Sequence, residues 1–233
     1  MRLHSSLHPA VILSAACLAA IMLMPKCMHA QFSDPAPPPA TQVHDASVLR
    51  PPAGAKVAII EFEDMECPDC ARANPLLREA ATQYHIPWVR HDYPLPFHGW
   101  SFQAAVNARW FDQKSKKIGD DYRDQVFAHQ NEITTLNSGG TAEDGGAGLQ
   151  KLRAFSDKFA AAHSLSLPFV VDTQGKLAAA VKADYALGQR VGIEHTPTIW
   201  VVTSRTKGVP FVEVVDRNKL YSMIEEAQTE TGK

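Results

Sequence analysis

The sequence predicts an α/β fold in which a βαβ unit and a ββα unit are separated by a helical insertion. Three observations predict it. Two short apolar runs and the helical stretch between them together occupy about 35 residues from Val57 onward. Two more runs and a helix close the chain, and the hundred-odd residues between carry only helical periodicity.

The elements follow in order. Ala55–Phe62 (AKVAIIEF) holds Val57, Ala58, Ile59 and Ile60, a β-branched apolar run expected of a strand buried on both faces. Ala71–Gln83 reads as a helix with Leu76, Leu77 and Ala80 on its buried side, and Ile86–His91 as a second strand. Strand, helix and strand in that space predict a parallel pair. Phe102, Ala105, Val106 and Trp110 recur at helical spacing, as do Leu149, Leu152, Phe155 and Phe159, and again Leu177, Ala180, Val181 and Tyr185. These stripes are read as core. Gly139–Gly148 (GGTAEDGGAG) lacks the ending and context of a phosphate loop and reads as a flexible loop. Thr198–Val202 and Pro210–Val215 are strands joined by a turn at Ser204–Gly208. Asp216 caps a last helix whose inner face carries Leu220, Met223, Ile224 and Ala227.

Upstream of the fold, Ala10–Met24 is an apolar run of 15 residues, preceded by Arg2 and followed by Pro25-Lys26 and a small-residue exit at Ala30. These are the parts of a secretory signal peptide, and the run is short of the roughly 20 residues that span a bilayer. Residues 1–30 are therefore expected to direct export to the periplasm, with an uncleaved anchor facing outside the cytoplasm as the alternative. Residues 31–54, with PAPPPA at Pro35–Ala40, read as a linker. The domain is expected over 55–233, with the insertion over about 97–190. Losing Arg2 and Lys26 with the leader takes the formal charge from −2 to −4, which argues against nucleic acid as a partner.

Export also changes the cysteine count. Cys17 and Cys27 leave with the leader, so Cys67 and Cys70 are the remaining pair, in a compartment that favours disulfides. A structural zinc site needs four ligands, and the other histidines (His44, His85, His91, His98, His129, His163, His195) include no HxxxH pair, so no metal is expected. As a staple the pair is poor, because a ring of about four residues gains only roughly 1.9 kcal/mol, against about 3 for fifteen. A redox role explains the position. Cys67 falls where strand gives way to helix, so unpaired N–H groups and the helix dipole favour its thiolate. Cys70, one turn on, is placed to resolve a mixed disulfide. Pro68 lies at the helix start, where its missing N–H costs nothing.

The CPDC motif after an apolar strand, with Glu194-His195-Thr196-Pro197-Thr198 before a late strand, resembles the DsbA-like thiol:disulfide oxidoreductases of the thioredoxin superfamily over about Val57 to Lys233. The resemblance implies that Thr196-Pro197 is a cis-proline loop pairing with substrate peptide. It implies that Glu61, six residues before Cys67, is a buried acid relaying a proton to Cys70. It implies disulfide exchange with protein substrates by a monomer with no cofactor beyond the cysteine pair. The expected direction is that of a disulfide-forming oxidase reset by a DsbB-type membrane partner, with a reductase or isomerase kept reduced by another donor as the alternative. Asp69 stands where the family's best-known oxidant has histidine. With Glu61, Glu63, Asp64 and Glu66 it puts five acids around the pair, and these are expected to disfavour the thiolate and set an intermediate potential. A thioredoxin-fold metal-delivery module, with His195 approaching the thiols, is the reading from another class.

Overall fold

Val57–Glu63 forms the central strand β1, every residue of it buried. In the computed structural model, which describes residues 39–134, 145–205 and 210–232, it pairs on both sides. Strand β2 (Trp88–Asp92) runs parallel to it, with Ile60 opposite Val89. Strand β3 (Thr198–Thr203) runs antiparallel, with Ile60 opposite Trp200, and β4 (Phe211–Glu213) completes the order β2-β1-β3-β4. The period of two sends Val57 and Ile59 to one face and Ala58, Ile60 and Phe62 to the other. Both faces are covered, which is why the run lacks alternation.

Helix α1 (Pro68–Tyr84) lies on the first face through Ala73, Leu77 and Ala80. It is joined there by α7 (Leu220–Glu230) through Leu220, Ile224 and Ala227. Asp216 does cap, but it caps a single 3-10 turn (Arg217–Lys219) that leads into α7, accepting from the Asn218 N–H. The other face meets Tyr93, Val191, Ile193 and Trp200.

The insertion comprises α2 (Ser101–Asp112), α3 (Lys116–Ala128), α4 (Gln130–Ile133), α5 (Gly145–Ala162) and α6 (Lys176–Val191). Its core is aromatic. Phe111, Tyr122 and Phe159 stack and edge against one another at 4.6–5.2 Å between ring centres. Helix α3 went unread in the sequence although Ser115 caps it, accepting from the Ile118 N–H at 3.1 Å, and Ile118, Tyr122 and Val126 share one side. Two stripe residues read as core face outward instead: Phe102 and Leu149 are 36% and 40% exposed. Helix α5 also begins inside the stretch read as a loop, so Gly145–Gly148 is helical. Gly148 packs closely, and a Cβ there would stand 2.7 Å from the Trp100 ring.

Insertion and sheet are joined by buried ion pairs. Glu63 binds Arg90 at 2.7 Å and lies 3.4 Å from Arg123, Asp92 binds Arg109 at 2.6 Å, and Arg109 reaches Asp184 on α6. The stretch expected as linker is ordered from Thr41 onward. Thr41 donates to Glu213 on β4, the His44 N–H donates to the Val191 carbonyl, and Leu49 is buried against the sheet. Val43, Val48 and Leu49 give this segment enough apolar surface to pack, which the surrounding prolines obscured. Residues 1–38, which hold the expected leader and the PAPPPA run's start, lie outside the described residues, as do 139–144 and 206–208.

Candidate active site

Cys67 is the N-cap residue of α1, extended at φ −73° and ψ 120°, with Pro68 in the first turn. Its sulfur donates to the Thr196 carbonyl at 3.3 Å, and the Thr196–Pro197 bond is cis. Cys67 is 8% exposed, whereas Cys70 is fully buried, so an incoming sulfur reaches the first and not the second. Both are free thiols.

Their environments push the two thiols apart. A hydrogen bond from the Cys70 thiol does most to pull Cys67 down to about 6, against the opposing effect of burial. The Thr196 hydroxyl and the Cys70 and Asp69 N–H groups add to it, the last two being unpaired donors at the start of a helix. The Thr196 hydroxyl is buried without a partner among the described residues while the thiol is protonated, and it is a donor for the thiolate. Burial pushes Cys70 well above the ordinary thiol range, and the neighbouring Cys67 and Glu61 charges push the same way. Nucleophile and resolving thiol are thereby differentiated.

Glu61 stands on β1 on the face that carries Val57 and Ile59. It is buried, with one carboxylate oxygen held by the Trp88 indole N–H at 3.0 Å and the other without a partner among the described residues. Burial, and then the Glu63 charge, raise it to about 8. A carboxyl that is largely protonated at neutral pH, beside a thiol that resists ionising, is equipped to pass a proton to it.

The remaining acids do not act as the sequence suggested. Expected to disfavour the thiolate, they are each tied to a partner. Glu63 is paired with Arg90 and lies against Arg123. Glu66 accepts from the Trp100 and Ser101 N–H groups at 2.7 and 3.1 Å, closing the N-terminus of α2. Asp69 pairs with Arg72 at 3.0 Å and with Arg217 at 2.7 Å, so the position between the cysteines is compensated from the chain's far end. Asp64 is fully buried and accepts from the Glu66 and Leu95 N–H groups and from His98.

Asp64 and two other residues were missed as site residues. The Asp64 backbone N–H reaches the Cys70 sulfur at 3.4 Å, and its carbonyl accepts from the Cys67 N–H at 3.1 Å. The Gln130 amide donates to the Met65 and Cys67 carbonyls at 2.7 and 3.0 Å. His98 holds Asp64 at 2.7 Å. No spacing rule links residues 31 or 63 positions from Cys67, so only the fold brings them together. His195 lies half-buried in the proline loop, its carbonyl accepting from the Thr198 hydroxyl at 2.6 Å. Among the described residues, no group of three or more histidines, cysteines or acids is arranged to hold a metal ion.

A protein-family model described as Thioredoxin matches residues 52–209. Solved structures with a similar fold include alpha-DsbA1 of Wolbachia pipientis, 14% identical with a TM-score of 0.58 over 78% of this chain and 90% of that one. DsbA2 of Pseudomonas aeruginosa is 19% identical with a TM-score of 0.51, over 84% and 99% of the two chains. ScsC of Proteus mirabilis in a compact conformation is 20% identical with a TM-score of 0.52, over 79% and 74%. A curated relative from Salinispora arenicola, named Na(+)/H(+) antiporter NhaA 1, is 31% identical over 106 residues, 42% of this chain and 15% of that protein. A match to 15% of a protein does not carry its named activity. No described helix here is long and apolar enough to cross a membrane.

Proposed function

This chain belongs to the thioredoxin family, and on that premise we propose that it is an exported thiol:disulfide oxidoreductase whose Cys67–Cys70 pair oxidises protein substrates. The observation that carries the reading is the division of labour between the thiols. Cys67 is reachable, favoured as thiolate and set against the Thr196 carbonyl, while Cys70 is buried and held protonated.

In the oxidising direction a substrate thiolate attacks the Cys67 sulfur of the disulfide. The Cys67–Cys70 bond breaks and Cys70 leaves as a thiolate, which takes a proton relayed through Glu61. The substrate's second thiolate then attacks the substrate sulfur of the mixed disulfide, closing the substrate disulfide and releasing Cys67 as a thiolate. The leaving group at this step is a low-pKa thiol, which speeds it. Thr196-Pro197 offers its backbone to an extended peptide, and Phe97, 77% exposed and packed on His98, offers apolar surface to an unfolded one. A quinone-linked membrane partner of the DsbB type would reoxidise the pair. The steps use no metal, flavin or nucleotide.

Pairing of the acids favours oxidase over reductase, because it removes the charge that would have destabilised the reduced form. Replacing Cys70 with Ala and expressing the exported protein tests the reading. Substrate proteins should be recovered as mixed disulfides through Cys67. A clean monomer that binds copper or zinc tightly through Cys67 would overturn it in favour of metal delivery.

A further inference from the structure

The disulfide exchange proposed above leaves one proton without a residence. A substrate dithiol delivers two electrons and two protons, and one proton goes to Cys70. The other is lost to solvent if Cys67 stays a thiolate.

His98 lies in the β2–α2 connection, with its side chain 17% exposed. Its Nδ1 stands 2.7 Å from the Asp64 carboxylate. That carboxylate also accepts two backbone N–H groups, and a carboxylate oxygen accepts, so Nδ1–H is the donor. Through Asp64 the imidazole touches both cysteines' surroundings, since the Asp64 N–H is on the Cys70 sulfur and its carbonyl on the Cys67 N–H. The charged groups that face His98 are Asp64, Glu66 and the Cys67 thiolate, all negative. Phe97 packs its ring edge 4.7 Å from the imidazole, adding no charge.

We propose that His98, held on Asp64, is the positioning residue that takes up the second proton when Cys67 is left as a thiolate. The step balances: a substrate dithiol, the Cys67–Cys70 disulfide and neutral His98 give a substrate disulfide, the Cys67 thiolate, the Cys70 thiol and protonated His98. Two electrons pass from substrate to protein, the substrate S–S bond forms and the Cys67–Cys70 bond breaks. Burial alone would lower His98, but the hydrogen bond to Asp64 and the surrounding charges raise it, the Cys67 thiolate among them. By linkage the imidazolium stabilises the thiolate to the same extent. The pair thus does from outside the motif what a cation between the cysteines would do, with Asp69 occupying that place.

Two measurements on the full chain test this. In spectra of protein labelled with carbon-13 in its histidines, the His98 signal is the one lost in His98→Asn. Its titration midpoint should be higher in the dithiol than in the disulfide form, and equal midpoints overturn the proposal. His98→Asn keeps an N–H for Asp64 but cannot take a proton. Alkylation of its Cys67 near pH 6.5 should slow by about threefold to tenfold, as the thiolate loses a nearby positive charge. Wild-type alkylation in this variant would mean that the bond alone matters, and would overturn the charge role. Neither measurement uses a substrate, so a failure to trap mixed disulfides with Cys70→Ala would count against the exchange reading and leave this one standing.

Discussion

Replacing Glu61 with Gln should stabilise the protein while impairing it, and the size of the gain should depend on pH. Burial raises Glu61 from an ordinary carboxylate value of 4.5 to about 8. A group raised on folding binds more protons in the native state than in the unfolded one. Its contribution is therefore intact below the unfolded value and is lost as pH climbs through the folded value. In the wild type that loss runs from about pH 4.5 to about pH 8, at about 1.4 kcal/mol per unit. Gln keeps an acceptor for the Trp88 indole and has nothing to ionise. The variant should equal the wild type near pH 4.5, exceed it by about 3 kcal/mol at pH 7 and by about 5 kcal/mol above pH 8. Urea unfolding of both proteins at about pH 5, 7 and 9, with the thiols kept reduced, reads the difference directly. Cys67 titrates in both proteins and largely cancels. Exchange by the variant should slow by about a hundredfold, the low end of what a positioned proton donor supplies. A stability gap that stays constant or narrows as pH rises would refute the buried, protonated carboxyl on which the relay rests.

Two further outcomes are expected. Alkylation of Cys67 should follow a thiolate that forms with a midpoint near 6, between thioredoxin at about 7 and DsbA at about 3.5. Scaling their potentials on that interval places the pair near roughly −230 mV, and a glutathione titration as oxidising as about −120 mV would sink the scaling. Gly188→Ala should cost about 1–3 kcal/mol in thermal or urea unfolding despite alanine's better helix propensity. Its Cβ would meet the Tyr93 ring at 2.5 Å, and that ring is held between Phe62 and Tyr185. An unchanged midpoint would show that the ring can yield.

The parts of the fold legible in the sequence were those whose signal is local. The β1 run, the α1 face and the β3 and β4 strands each needed only a few neighbouring residues to declare themselves. Helix α3 was overlooked because Lys116, Lys117, Asp120 and Asp121 dilute its apolar side, yet those charges sit on its solvent face as i,i+4 pairs. The prolines on either side of residues 41–50 hid a segment that packs through Val43, Val48 and Leu49. At the site the sequence pointed to both cysteines, Glu61 and Thr196-Pro197, all tied to motifs. It misread the acids, because a carboxylate's effect depends on the group across from it. Arg90, Arg123, Arg217 and His98 are supplied by four different places in the chain.

Glu66 closes the first turn of α2, and Gln130 on α4 grips the carbonyls on either side of it. The residue immediately before the nucleophile is thus fastened to the insertion at both ends, like a tiller held by two lines. In the exchange proposed above, a substrate leaning on the helices would bear on the angle at which Cys67 presents its sulfur, so that discrimination would begin on the insertion, before any sulfur is within reach of another.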